Sequence, residues 1–324
     1  MRRYFAVKVL EAIVTLAFVV VFNFFMFRVI PGDPVSLLLR GGQADLSAEV
    51  IQQQQRELGL DKPLPQQFVI YVKQTFTGNF GLSLRNGQPV GPQIAERVPN
   101  TLLLVGLSTI ASTVLGVAIG IWAGWKRGSK FDVTSTGVTL FFYAMPEFWL
   151  GLVLLMAFAG LIPIFPTGGY STQGGDITGF SHWVDVANHM VLPFFTLTVA
   201  YLGEYSLIMR SSLTDTLGED YVQTARAKGV REKFVLRHHA VPNALLPTMT
   251  LTLLNIGFVI SGAITIELIF SWPGIGLLTF LSIDALDYPM LEALFLIFSA
   301  AVIVANLVAD LLLAYFDPRV RVTT

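Results

Sequence analysis

The sequence predicts an all-α, polytopic membrane protein with six transmembrane helices and a small helical domain outside the membrane, between helices 1 and 2. Three observations predict it. The 324 residues are 53% hydrophobic and only 13% charged, where soluble domains carry about 25% charged residues. The apolar residues fall in runs of about 20, enough at 1.5 Å per residue to cross a hydrocarbon layer about 30 Å thick. Lys and Arg gather in alternate connecting segments, which sets an orientation. The formal net charge of −1 makes no electrostatic case for nucleic acid, and none is expected as a partner. With no cysteine, disulfides, thiolate metal sites and cysteine nucleophiles are excluded.

The predicted spans are residues 9–30, 101–125, 134–162, 191–208, 248–270 and 291–316. The first follows Arg2, Arg3 and Lys8 and is too long for a signal-peptide core, with no small-x-small cleavage site after it, so it reads as a retained span. The third is overlong and carries Pro146, which predicts a kink or tilt. Lys126, Arg127 and Lys130 fill the turn after the second span. Arg210, Arg226, Lys228, Arg231, Lys233 and Arg237 follow the fourth, and Arg319 and Arg321 follow the last. The connections 163–190 and 271–290 hold no Lys or Arg, so both termini are expected in the cytoplasm.

This divides the chain into residues 1–30 (cytoplasmic N-terminus and first helix), an extracytoplasmic domain over 31–100, and a five-helix core over 101–324 with a cytoplasmic loop at 209–247. Within 31–100, residues 47–59 read as a helix with a serine cap and a glycine stop. Phe68, Tyr71, Val72 and Phe76 form an apolar stripe on a second short helix.

The cytoplasmic loop contains Gln223, Thr224, Ala225, Arg226, Ala227, Lys228 and Gly229. Thr216-Leu-Gly-Glu219 fits a capping box and Gly229 a C-terminal stop, which predicts an exposed helix over 217–228. Ala225, Ala227 and Gly229 admit the close approach of another backbone, while Arg226 and Lys228 offer it charge. An interfacial helix lying on lipid would want a bulky apolar face, which is missing, so docking to a protein is favoured.

That loop resembles the cytoplasmic EAA motif of binding-protein-dependent ABC importer permeases, in which a glycine is followed thirteen residues later by a proline, as Gly229 and Pro242 are here. Only Ala225 matches the first three letters, and His239 and Val241 replace the usual Ile and Leu. These departures are similar to the dipeptide/oligopeptide/nickel permease subfamily. The shared residues are Thr224-Ala-Arg-Ala-Lys-Gly229, Arg237-His238 and Asn243-Ala-Leu-Leu-Pro247. Further matches run in order along the chain: Pro31-Gly-Asp-Pro34, Leu58-Gly-Leu-Asp-Lys-Pro-Leu64, Glu96-Arg-Val-Pro99, Phe270-Ser-Trp-Pro-Gly-Ile-Gly276 and Asp317-Pro-Arg319.

The resemblance implies a type I ABC importer permease fold moving short peptides. It implies that the loop helix docks on one or two ATPase subunits, where ATP and Mg are bound. It also implies a second homologous permease completing a heterodimer and an extracytoplasmic binding protein delivering substrate. No catalytic residue, cofactor or metal is expected in this chain.

Within the spans, Glu147 beside Pro146 and Glu267 before Ser271-Trp-Pro-Gly274 are the candidates for a translocation pathway or for bonds between helices. Glu11, Arg28, Glu204 and Asp310 are placed near the interfaces. Gly116, Gly120 and Gly124 make a smooth seam for close helix packing. The Gly124–Lys130 stretch has the wrong spacing for a phosphate loop. The four histidines form no zinc-protease pattern, and two are predicted on each side of the membrane. The alternative function is an ion- or proton-coupled secondary transporter using Glu147 and Glu267, although no paired repeat is visible; a nickel chelate is the alternative cargo of the same ABC architecture.

Overall fold

The computed structural model describes residues 2–29, 62–172, 178–261 and 263–316. The helices in order are α1 (Arg2–Phe24), α2 (Leu64–Thr77), α3 (Val90–Thr101), α4 (Leu107–Trp125), α5 (Lys130–Tyr143), α6 (Glu147–Leu155) and α7 (Phe180–Leu217). Then come α8 (Asp220–Ala227), α9 (Glu232–Val235), α10 (Val241–Ser261), α11 (Ile264–Ile269), α12 (Ile275–Asp284) and α13 (Tyr288–Phe316). Short π-helical turns extend or join them at Phe25–Val29, Leu102–Gly106, Met156–Leu161 and Leu236–Ala240. The expected helix at 47–59, Pro31-Gly-Asp-Pro34 and Asp317-Pro-Arg319 lie outside the described residues.

Among the described residues four stretches are long and apolar enough to cross a membrane: Arg3–Phe27, Val90–Trp125, Phe180–Leu217 and Tyr288–Leu312. Counting Lys130–Tyr143 and Glu147–Leu161, which meet at 93°, as one bent span gives a fifth. The bend sits at Pro146, where the expected kink was placed; proline supplies no amide donor to continue the helix. The remaining expected crossing, 248–270, is divided between α10 and α11. The helix expected to begin at Thr101 begins at Val90, and the one expected over 191–208 runs from Phe180 to Leu217.

The chain forms two compact units. The first contains residues 1–101, 260–264 and 273–324. Its core joins Val90 and Ile94 of α3, Ile275 and Leu278 of α12, and Met290, Ala293 and Leu294 of α13. A second cluster joins Val20 and Phe24 of α1, Tyr71 of α2 and Leu296 of α13. Three residues of the predicted α2 stripe, Phe68, Tyr71 and Val72, face this cluster. Phe76 is exposed: five residues past Tyr71, it has turned about 140° away around the helix. Polar groups complete the unit. Asn23 donates from Nδ2 to the Tyr71 hydroxyl and the Glu292 carbonyl, and Lys8 bridges Glu11 and Asp310 at 2.9 and 3.3 Å.

The second unit contains residues 102–259 and 265–272, with α7 as its central helix. The glycine seam of α4 lies against it. A β-carbon on Gly116 would come 2.7 Å from the Tyr205 Cβ, and one on Gly120 would come 2.6 Å from the Ser206 carbonyl oxygen. Close packing is therefore the seam's structural role. On another side, Gly203 of α7 admits Tyr143 and the Thr139 carbonyl of α5. Helix α7 continues past Ile208 because Met209 and Leu213 are buried with Ala240 and Ala244; tertiary burial sustains a helix beyond its most apolar stretch.

Candidate functional site

Two sites of the second unit hold the sequence-predicted residues. The first is a hairpin formed by α8 and α9. The capping box expected at Thr216–Glu219 does not form: α7 ends at Leu217, Gly218 is its C-cap, and Glu219 is the N-cap of α8. Glu219 makes no side-chain cap bond, and the expected helix over 217–228 is shortened to Asp220–Ala227. The stop is as expected. Gly229 has φ +77, its N–H reaches the Arg226 carbonyl at 2.9 Å, and the Val230 N–H reaches the Ala225 carbonyl at 3.3 Å. This is the Schellman arrangement, which needs a left-handed residue at that position.

Behind α8, Val222, Ala225 and Val235 form a small core with Leu217 and Val230 packed on it. Ala225 is 8% exposed, so it faces the hairpin interior. Gln223, Thr224, Arg226, Ala227, Lys228 and Gly229 are exposed. Arg226 grips Glu232 with two bonds of 3.1 and 3.3 Å, strapping α8 to α9, and the Gln223 amide donates to the Gly218 carbonyl at 2.9 Å. Sequence reasoning missed the aromatics at this surface. Tyr221 and Phe234 are 43% and 49% exposed, and Phe234 stacks on His238 at 4.0 Å. Adjacent exposed aromatic and basic side chains were the available signal, since these residue types dominate protein interfaces.

The hairpin is fastened at its root. Leu217, Leu236, Val241 and Leu245 pack with Met209, Leu213, Ala240 and Ala244, and with Val117, Ile121 and Trp125 of α4. Nearby, Arg210 of α7 pairs with Asp132 of α5 through Nε and Nη2, the latter at 2.9 Å. Asp132 also accepts the Gly128 N–H at 2.9 Å, while its own N–H donates to the Ser129 hydroxyl at 3.2 Å. This lock ties the α4–α5 turn to the helix that leads into the hairpin. In the sequence Arg210 stands only as one of the loop cations, because its partner lies 78 residues away.

The second site is within the spans. Glu147 opens α6 and accepts the Tyr201 hydroxyl of α7 at 3.1 Å and the Thr265 hydroxyl of α11 at 3.0 Å. Three helices thus meet at one half-buried carboxylate. Glu267 lies two residues after Thr265 on α11 and is fully buried, its carbonyl accepting the Trp272 N–H at 2.8 Å. Glu204 is half-buried on α7, one turn from Tyr201. Glu11 and Asp310, placed near the interfaces by the sequence, share Lys8. Among the described residues no cluster of His, Asp and Glu is arranged to hold a metal. Of the described histidines, His189 is bonded to the Asp185 carbonyl, while the adjacent His238 and His239 both lie against the Phe234 ring.

Residues 116–322 match the family described as "Binding-protein-dependent transport system inner membrane component". Residues 1–105 match "Binding-prot-dependent transport system membrane comp, N-term". The chain is 36% identical over 324 residues to the oligopeptide transport system permease protein AppB of Bacillus subtilis (strain 168), covering 99% of this chain and 100% of that one. It is 35% identical over 316 residues to the dipeptide transport system permease protein DppB of Escherichia coli (strain K12), with 92% and 93% covered. It is 36% identical over 321 residues to the glutathione transport system permease protein GsiC of the same organism, with 99% of each chain covered.

Proposed function

The chain belongs to the family of binding-protein-dependent transport system inner membrane components, and from that premise we propose that it is a transmembrane permease subunit of an ABC importer for short peptides. The oligopeptide, dipeptide and glutathione transport named in its relatives supports the cargo class. ATP and Mg are assigned to one or two partner ATPases, substrate delivery to an extracytoplasmic binding protein, and the other half of the pathway to a second homologous permease.

The observation that carries the reading is the exposed strip Gln223, Thr224, Arg226, Ala227, Lys228 and Gly229 on a hairpin backed by its own core and rooted in α4, α7 and α10. A docking element must present a surface on one side and be rigidly tied to the moving helices on the other, and this hairpin combines both. Ala225 serves from behind by setting the tilt of α8. We assign the hairpin side and both termini to the cytoplasm, from the Lys and Arg distribution. The domain scheme with residues 31–100 outside is carried on that basis. With α10 and α11 counted as one interrupted crossing, the spans number six. Glu147 and Glu267 are assigned to the pathway wall.

The test is uptake of alanyl-alanine into proteoliposomes holding the permease pair, ATPases and binding protein. ATP-dependent uptake that survives an uncoupler is expected. Uptake abolished by the uncoupler and indifferent to ATP overturns the reading in favour of a secondary transporter. ATP-driven uptake of a nickel chelate with none of the dipeptide reassigns the cargo.

A further inference from the structure

We propose that Glu147 is the anionic subsite that receives the free α-ammonium group of a peptide as it passes through the permease. The inference rests on the peptide-importer reading and names the group of the cargo that the pathway recognises.

Glu147 stands at the junction of two interrupted helices. It is the first residue of α6, directly after the 93° bend that separates α6 from α5. Its partner Thr265 is on α11, which follows the interruption after Ser261 at the end of α10. Backbone that departs from helix at membrane depth is tolerated where it lines a cavity or is buried in protein, and substrate sites of transporters are built from such breaks. The depth fits. Tyr201 lies near the middle of the 38-residue α7 and nine residues before Arg210, about 13 Å along the helix axis.

The charge balance distinguishes this carboxylate from three other acidic groups of the chain, Glu11, Asp310 and Asp132. Glu11 and Asp310 have Lys8, and Asp132 has Arg210. Glu147 has two neutral hydroxyls and, among the described residues, no ion-pair partner. An ionised carboxyl has about four acceptor positions, so two hydroxyl donors leave room for another donor. A half-buried carboxylate without a countercharge inside a membrane is costly unless it faces protein or water. A cation arriving with the cargo would complete the site.

Among peptides of any sequence, the α-ammonium is the cation that does not depend on side chains. A carboxylate flanked by two hydroxyls suits it, offering charge and acceptors without a pocket that reads residue type.

The test compares Glu147→Gln and Glu147→Asp in the complete reconstituted complex, with rates taken per assembled complex and alanyl-alanine as the probe. Gln keeps the size and hydrogen-bonding capacity and removes the charge. The expected result is a fall of about ten-fold in the maximum uptake rate for Gln, as for a lost charge-assisted hydrogen bond. KM, set at the binding protein, should stay near the wild-type value, and Asp should restore most of the rate. A Gln complex working at the wild-type rate overturns the proposal, as does an equal loss in Gln and Asp, which marks a purely architectural residue. Failure of the peptide reading would show separately, as wild-type complex that takes up no alanyl-alanine with ATP.

Discussion

Arg210 holds Asp132 through two guanidinium nitrogens, although 78 residues separate them. The two ends differ in burial: the Asp132 side chain is 3% exposed and that of Arg210 29%. Removing the arginine strands a buried carboxylate, whereas Asp132→Asn leaves a neutral amide that can still bond to the turn. Arg210→Ala should therefore lower stability by about 3 kcal/mol, and more than Asp132→Asn does. Thermal unfolding of the detergent-purified complex measures both. Equal, small shifts for the two variants would show that the pair contributes little.

The glycine seam makes a graded prediction. Added β-carbons meet α7 at 2.7 Å from Gly116 and 2.6 Å from Gly120, but at 3.1 Å from Gly124. In the first two cases the obstacles are backbone oxygen or a Cβ, which cannot swing away. Gly120→Ala and Gly116→Ala should each destabilise by about 1–3 kcal/mol, the usual cost of overpacking, with Gly124→Ala affected least. Gly120→Leu should abolish folded yield. The ranking is read from melting temperatures, and an inverted order would refute close packing along this line.

The places where sequence and structure part are physically informative. Glycines spaced by four residues and a proline in an apolar run have few structural uses, so the seam and the bend at Pro146 were legible. Gly229 was legible because its left-handed turn suits glycine. The capping box at Thr216 was misleading because burial of Leu213 and Leu217 carries α7 through it. Local propensity lost to tertiary packing. Ala225 looked like a contact surface because its partner Val235 lies ten residues on, in a second element whose fold-back no local pattern announces. The Asp132–Arg210 lock and the three-helix junction at Glu147 depend on pairings far apart in sequence, and no periodicity encodes these. Glu147 itself was visible as a charge out of place, but its partners were not.

In the first unit, Asp287 precedes α13 and accepts the Leu84 N–H at 3.0 Å and the Met290 N–H at 3.4 Å, with the Ser83 hydroxyl on its other oxygen. One buried side chain thus caps a helix and pins a loop. Asp287→Ala leaves three donors without their acceptor and should cost about 2 kcal/mol or more. Proteolysis near Ser83 at rising temperature reports it. Cleavage as slow as in wild type would mean that the loop is held by other contacts.

The hairpin separates its inner and outer faces, so substitutions two residues apart, about half a turn around α8, should fail in different ways. Ala225→Asp places a charge among Val222, Val235, Leu217 and Val230, and should loosen the hairpin itself, raising protease sensitivity between α8 and α9. Ala227→Asp is on the exposed side and should leave the hairpin as resistant as wild type while impairing ATPase binding. Gly229→Val forces a β-branched residue into φ +77 and should cost at least about 1 kcal/mol of local stability. A crosslinker placed at Ala227 should capture an ATPase subunit, and one at Ala225 should not, because that side chain is covered by the hairpin's own core. Capture from Ala225 with none from Ala227 would mean that α8 presents the opposite face to its partner, and the docking assignment would have to be rebuilt around Val222 and Ala225.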